Sequence, residues 1–313
     1  MEIPVFLFTG FLESGKTTFI MDTVKDPEFQ AGGKTLIIRC EDGTVDYSQE
    51  ILEKANTFAV DVESEEELTE ELLHSLNSQY KPKQVIIEYN GMWNINTILN
   101  LKLPRHWILA QILNTIDASM FSMYLTNMKA FLISQVTYAD LIVINRCTDD
   151  TDQTIFRRNI KAVNRGVQIL YETTDGRILA PEAENLNYDL SSGKIRIEND
   201  DFGIWYLDLM ENTDKYVGIE AEFKAIVYKG RDIPKGHLVL GRFAMTCCAD
   251  DIRYIGIVSR CFEASAYQQR DWVKVKARIT KEYNRLYGGE GPVLEVISIE
   301  PTEKIEDDVV YFS

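Results

Sequence analysis

The run Gly10-Phe11-Leu12-Glu13-Ser14-Gly15-Lys16-Thr17-Thr18 constrains this chain more than any other stretch, because it fits the spacing G-x-x-x-x-G-K-[ST]. The apolar run before it, Val5 to Phe8, reads as a buried strand, and Thr17 to Val24 reads as a helix. The spacing has a physical cause. Glycines let the backbone curl so that successive N–H groups point at phosphate oxygens, and the helix that follows adds its positive end. Lys16 is then expected to reach the β- and γ-phosphates and the Thr17 hydroxyl to ligate Mg²⁺. Gly10, Glu13, Ser14, Gly15, Lys16, Thr17 and Thr18 are the candidate phosphate contacts, and the chain reads as a binder of a nucleoside triphosphate.

The first half alternates β-rich apolar runs with stretches long enough for crossover helices. The runs are Lys34 to Arg39, Gln84 to Glu88, Trp107 to Ile116, Leu141 to Asn145 and Val167 to Tyr171. That order predicts an α/β fold, the three-layer, mostly parallel sheet of a P-loop NTPase, over residues 1–181. Ser64-Glu65-Glu66-Glu67 fits a capping box opening a helix to about Gln79, so the acidic run Glu63 to Glu71 reads as a solvated helix face and not a metal site. Pro181 to Gly193 is polar and turn-rich. Residues 182–205 therefore read as a connecting segment and 206–313 as a second, smaller domain.

From Gly218 onward that domain offers five strand candidates, Ile219 to Tyr228, His237 to Cys247, Ile252 to Ser259, Trp272 to Thr280 and Val293 to Ile299. Phe262 to Gln269 is the stretch between the third and fourth that can form a short helix. Five strands with a helix in that place is the order of an OB-like β-barrel.

At 313 residues and 45% hydrophobic content the chain can bury two cores. Its formal net charge of −16 argues against nucleic acid or an anionic membrane surface as the main partner, since both require a basic face. No apolar run approaches the ~18 residues of a membrane span, so the chain is not expected to be membrane-embedded. Glu2 stands where a signal peptide would carry positive charge, and the expected location is the cytoplasm. Cys40, Cys147, Cys247, Cys248 and Cys261 are odd in number and without framework spacing, as free thiols in a reducing compartment would be.

Three further segments are suited to a nucleotide site. Val85 to Gly91 is a strand ending in a carboxylate and a glycine. Glu88 there would hold Mg²⁺ or its water, and the Gly91 N–H would sense the γ-phosphate. Arg39-Cys40-Glu41-Asp42-Gly43 follows another strand in the same manner and offers Glu41 to the metal region. Leu141 to Arg146 ends a third strand with Asn145 and Arg146, an amide and a cation suited to a purine base.

With these segments in this order, residues 3 to 176 resemble the CobW-like (CobW/HypB/UreG) P-loop GTPases, relatives of the hydrogenase and urease nickel-insertion GTPases. The family's Gly-Phe-Leu-Gly-x-Gly-Lys-Thr-Thr loop is similar to Gly10 to Thr18, with Glu13 in place of one glycine. Its Asn-Glu-Phe-Gly switch segment resembles Cys40 to Gly43, its Glu-x-x-Gly motif is Glu88 to Gly91, and its Val-Asp-Ala strand end resembles Ile116-Asp117-Ala118. The helix ending in Ala-Asp matches Gln135 to Asp140, and the Asn-Pro-x-Ala turn resembles Asn164-Arg165-Gly166 without its Pro and Ala. The resemblance implies a GTP-hydrolysing switch coupled to delivering a metal ion or inserting a metal cofactor. Lys16, Glu41, Glu88 and Gly91 would then carry the chemistry, with Thr17, Glu41 and Glu88 around Mg²⁺.

Two departures from the family pattern bear on function. The base-reading run Asn-Lys-x-Asp is here Asn145-Arg146-Cys147-Thr148, with Asp149 one place late. Thr148 cannot accept two hydrogen bonds as a carboxylate does, so GTP is preferred, ATP stays open, and a bulge is needed for Asp149 to serve. The family's Cys-x-Cys-Cys cargo site has no counterpart, because no cysteine lies between Cys40 and Cys147. The C-terminal part carries its own resemblance, from Lys215 to Gly218 and above all Val239 to Asp250, to the soluble domain of an uncharacterised bacterial family that accompanies a permease. Cys247, Cys248 and His237 are candidate ligands there for Zn²⁺ or another transition metal. Adjacent strand residues point to opposite faces, however, so the cysteines chelate together only across a bulge.

The expected partners are a nucleotide, a metal cargo, and a permease or metalloprotein client, with a homodimer left open. The rival readings are a nucleotide-gated interaction module with little turnover and an ATP-using P-loop enzyme.

Overall fold

The computed structural model describes residues 2–30, 33–182, 186–245, 252–306 and 308–312. Two compact units are present, Met1–Phe156 with Gly166–Pro181, and Arg157–Arg165 with Glu182–Ser313.

In chain order the first unit runs β1 (Ile3–Thr9), α1 (Lys16–Lys25), β2 (Thr35–Arg39), α2 (Gln49–Lys54), β3 (Thr57–Asp61), α3 (Glu70–Tyr80), β4 (Gln84–Glu88) and α4 (Ile95–Asn100). It continues with β5 (Trp107–Asp117), α5 (Phe121–Asn127), α6 (Lys129–Thr137), β6 (Leu141–Cys147), the start of α7 (Gln153–Val163), β7 (Gln168–Thr173) and β8 (Ile178–Leu179). The sheet order is β3-β2-β4-β1-β5-β6-β7-β8, and every pair is parallel except β7–β8.

The strands read as unbroken apolar runs because both faces of the sheet are covered. Val85 and Ile87 of β4 join Val5, Leu7 and Ile38 in one core, while Ile86 between them joins Phe8, Ile20 and Ile37 in another. β1 lies between β4 and β5, and β6 follows β5. The carboxyl ends of these four strands therefore bring the loop after Thr9, Glu88, Asp117 and Asn145 to one edge of the sheet, where open α/β folds bind ligands.

Two local expectations are corrected. β3 is an edge strand outside the expected runs, because Phe58, Val60 and Val62 alternate with smaller or polar residues and form no continuous apolar run; Phe58 stays 38% exposed and leans on Tyr80, with the Lys34 ammonium over its ring. Ser64 makes no capping hydrogen bond. The residues Glu65–Glu67 form a 3-10 turn that seats Leu68 in the core, and α3 starts afresh after Thr69, whose hydroxyl accepts the Leu72 N–H at 3.2 Å.

The second unit holds the later part of α7, then β9 (Lys194–Arg196), α8 (Phe202–Glu211), β10 (Glu220–Tyr228), β11 (His237–Met245), β12 (Ile252–Arg260), β13 (Trp272–Asn284), β14 (Gly289–Pro301) and β15 (Val309–Val310). Residues 182–205 are not a connecting segment. Ile195, Ile197, Phe202 and Trp205 are all buried in this unit's core, and β9 pairs with β10. The polar stretch before them hid the short alternation Lys194-Ile195-Arg196-Ile197.

All five expected strands form, as β10 to β14. β10 pairs with β11, β11 with β12, β12 with β14 in parallel, β14 with β13, and β13 back with β10, so the order closes on itself. β10 and β11 share only the pairs from Ile226↔Gly241 to Tyr228↔Val239, and β9 and β15 take up the edges this leaves. The short helix expected within Phe262 to Gln269 is a single 3-10 turn, Ala264–Ala266. Arg242 of β11 is buried between the rings of Phe202 and Trp272 and donates to the Lys224 carbonyl at 3.1 Å and Asn199 Oδ1 at 2.7 Å. Burial lowers its pKa to about 10.

Candidate functional site

The loop between β1 and α1 takes backbone conformations that few residues tolerate. Gly10 and Gly15 have φ of 134° and 99°, and Glu13, where the resembling family carries glycine, has φ of 62°. Space is as restricted as conformation. A Cβ on Gly10 would lie 2.5 Å from the Thr115 carbonyl oxygen, and one on Gly15 2.5 Å from Asn145 Nδ2. The Ser14 hydroxyl bonds Thr115 Oγ1 at 2.7 Å, and Asn145 Nδ2 donates to the Ser14 carbonyl at 2.6 Å. The ends of β5 and β6 thus hold the loop from below.

Lys16 opens α1 and is 3% exposed. Its ammonium donates to the carbonyls of Gly10 and Phe11 at 2.8 and 2.9 Å and forms an ion pair with Glu41. Glu41 reaches the pocket through its ion pair with the lysine. Thr17 donates to Glu88 Oε1 at 2.6 Å, and Tyr47 donates to Glu88 Oε2 at 2.6 Å. Burial pushes the Glu88 carboxyl above the usual carboxylate range, and the two hydroxyls and Lys16 only partly offset it. Burial, with Glu88 and Glu41 nearby, pushes the Cys40 thiol up to about 12, so Cys40 is not a ready thiolate.

Gly91 lies against the same loop. A Cβ there would sit 2.2 Å from the Gly10 carbonyl oxygen, and the Gly91 carbonyl accepts from Gln135 Nε2 at 2.6 Å. Gln135 is buried, and its Oε1 accepts from Asn114 Nδ2, which also donates to Thr9 Oγ1 at 2.9 Å. Thr17, Thr18, Glu41 and Glu88 line one pocket with Glu13, Gly15 and Lys16.

At the far side of the loop, Arg146 takes a φ of 55° and its guanidinium bonds the Glu13 carbonyl at 3.0 Å and the Asp117 carboxylate. Burial raises the Asp117 pKa, but Ser119 and Arg146 outweigh it and hold the carboxyl below the usual range. Arg146 also lines a cleft of about 350 Å³ together with Ser119, Phe121, Thr148, Asp150 and Ile155. Asp149 does not line that cleft; its carboxylate is ion-paired with Arg177 at 2.8 Å.

Tyr47, Asn114, Thr115 and Gln135 were not singled out as site residues from the sequence. Asn114 and Thr115 did carry a signal, as polar residues inside the otherwise apolar run Ile112 to Ile116, which buried strands hold only with partners. Cys247 and Cys248 lie outside the described residues. His237 is half-buried at the start of β11 with Nδ1 3.3 Å from the Lys235 carbonyl oxygen. Among the described residues, no group of three or more His, Cys, Asp or Glu side chains could hold a metal ion, and no helix is long and apolar enough to cross a membrane.

Comparison with known proteins matches residues 178–312 to the DUF1980 C-terminal domain. The UPF0703 protein YcgQ of Bacillus subtilis (strain 168) is 25% identical over 121 residues, 39% of this chain and 42% of that protein, so the chain spans about two fifths of the curated relative it matches. Similar solved structures include the Zn(II)-bound YjiA GTPase from E. coli, with 23% identity, a TM-score of 0.43, and 57% of this chain and 60% of that one covered. The hydrogenase maturation factor HypB from Archaeoglobus fulgidus is 15% identical with a TM-score of 0.40, over 56% of this chain and 82% of that one. Residues 4–171, more than half the chain and the whole of the strand edge that carries the glycine loop, Glu88 and Asn145, match the CobW/HypB/UreG nucleotide-binding domain, and the chain belongs to that family.

Proposed function

We propose that this chain is a GTP-binding and GTP-hydrolysing switch coupled to the delivery of a metal ion or a metal cofactor. The observation that carries the reading is the convergence of the glycine loop, Lys16 and the Thr17–Glu88 hydrogen bond on one pocket, with Gly91 packed against the Gly10 backbone of the same loop. Backbone N–H groups of the loop and the start of α1 bind and orient the phosphates, with Lys16 exchanging its carbonyl and Glu41 partners for phosphate oxygens. The Thr17 hydroxyl and the Glu88 carboxylate are hard oxygen donors 2.6 Å apart, which fits Mg²⁺ held through one or two protein groups, with Glu41 beside them. Bound there, Mg²⁺ would neutralise charge developing on the β- and γ-phosphates. The segments bearing Glu41 and Gly91 both touch the loop, so loss of the γ-phosphate is expected to reposition them.

The second unit is proposed to be an OB-type barrel that engages cargo or client. The strand order β10-β11-β12-β14-β13, closing on β10 with β12 and β14 parallel, supports that assignment. Metal coupling rests on the family, with Cys247 and Cys248 as the cargo ligands proposed here and a cytoplasmic location alongside. His237 does not join that set, because it and Met245 stand at opposite ends of β11, roughly 26 Å apart at a strand's rise per residue.

Replacing Lys16 with alanine is expected to abolish nucleotide binding in calorimetric titrations with non-hydrolysable GTP and ATP analogues in Mg²⁺; full retention would refute the site. Selective binding of the GTP analogue, altered by Zn²⁺, supports the metal-coupled switch. A second reading, a nucleotide-gated module that docks on a membrane permease with little turnover, is favoured by the absence of any cysteine between Cys40 and Cys147. Turnover that neither metal nor partner stimulates would select it.

A further inference from the structure

We infer that Asp150, and not Asp149, is the carboxylate that selects guanine over adenine, in the cleft bounded by Arg146 and Ile155. The inference rests on the reading of the glycine loop as a nucleotide site. Arg146 lines both the loop pocket and this cleft, so a nucleotide whose phosphates lie along Lys16 and Thr17 would extend its base past Arg146 into the cleft. The guanidinium is fixed by the Glu13 carbonyl and Asp117 and offers one flat face, and Phe121, Ile155 and Phe156 supply an apolar wall.

The acidic side chains of the segment after β6 differ in what already holds them. Asp149 is ion-paired with Arg177 and lies outside the cleft lining. Asp152 lines the cleft, but its Oδ1 takes the Thr154 N–H at 2.9 Å and the Thr154 hydroxyl, at the start of α7. Thr148, at the position where the family carries its aspartate, shares its hydroxyl with Thr151 Oγ1 at 3.3 Å, and its N–H donates to that same oxygen at 2.8 Å. Asp150 lines the cleft and its carboxylate has no hydrogen bond or ion pair among the described residues. Guanine presents N1–H and N2–H donors on one edge, which a carboxylate accepts together; adenine presents a lone pair at N1, which a carboxylate repels.

The test is calorimetric titration of the full chain, the variant Asp150→Asn and the variant Asp149→Asn with the diphosphates of guanosine, adenosine and xanthosine. An asparagine at 150 accepts from N1–H and donates to the xanthine O2. Asp150→Asn is therefore expected to lose about 100-fold in affinity for the guanosine nucleotide and to gain affinity for the xanthosine nucleotide. Asp149→Asn is expected to keep the unmodified preference. The gain for xanthosine requires a folded chain, so misfolding cannot imitate it. If the unmodified chain prefers guanosine and Asp150→Asn leaves that preference intact, or Asp149→Asn switches it, the assignment of Asp150 is overturned while the nucleotide site stands. If the unmodified chain binds none of the three, the nucleotide reading itself falls.

Discussion

A methyl group on Gly91 would meet the Gly10 carbonyl oxygen at 2.2 Å and the Gly10 carbon and Phe11 Cα at 2.9 Å, all backbone atoms with no rotamer to escape into. Gly91→Ala must therefore move the glycine loop. It is expected to cost about 1–3 kcal/mol of stability by overpacking and to weaken binding of a non-hydrolysable GTP analogue about tenfold or more. Thermal unfolding and calorimetry read the two effects separately, and an unchanged affinity would mean that the two segments part before the nucleotide binds. The importance of Gly91 was legible in the sequence because Glu88-x-x-Gly91 is a local pattern, as is the loop from Gly10 to Thr18. Tyr47 and Gln135 were not legible as site residues. Each acts through a partner that only the sheet order brings near, with Tyr47 bonding Glu88 from 41 residues away and Gln135 bonding Gly91 from 44. The same holds at Asp149, whose place in the sequence suggested the base and whose place in space is beside Arg177.

Among the elements, α3 shows how a local signal is overridden. Ser64 and Thr69 both stand before acidic residues, but only Thr69 accepts a hydrogen bond from the helix it precedes. Thr69→Ala is expected to destabilise the first unit by about 1 kcal/mol, whereas Ser64→Ala should lie within about 0.5 kcal/mol of the unmodified chain. Denaturant unfolding of both variants decides it, and equal losses would return the helix start to Ser64. The parallel strands that are buried on both faces were readable from their apolar runs, since nothing else places Val85, Ile86 and Ile87 together in water-free surroundings. β3 lacks that signature, because an edge strand with one wet side shows only the short alternation Phe58, Val60, Val62 and not a continuous apolar run. β15 is too short to show any period, and the four-residue alternation at β9 is hidden by the polar stretch before it; both strands exist because β10 and β11 leave part of their edges unpaired.

Each unit has an apolar core of its own, which is the physical basis for expecting each to fold as a unit. The boundary at Pro181 that the sequence suggests is incomplete, however, because Arg157–Arg165 belongs with the second unit. Ala162 packs on that unit's core, the Arg157 and Lys161 side chains pair with Glu211 of α8 at 2.6 and 3.2 Å, and Arg165 donates to the Tyr206 hydroxyl at 2.9 Å. Arg157 also stands 3.7 Å from Asp208, a carboxylate 1% exposed that otherwise depends on Tyr216, Asn212 and Lys215. A fragment of residues 182–313 loses all of these and leaves a buried carboxylate with fewer cations. A fragment of residues 152–313 keeps them. The shorter fragment is expected to be less stable by about 1–3 kcal/mol, the range for charge-assisted hydrogen bonds in partly buried surroundings. Urea unfolding followed by the fluorescence of Trp205 and Trp272, the tryptophans both fragments contain, measures the difference. Raised salt should narrow the gap only in part, because screening reaches the Glu211 pairs more readily than the buried Asp208. Equal midpoints for the two fragments would mean that the later part of α7 contributes nothing to the second unit, and the boundary at 181 would stand as the sequence drew it.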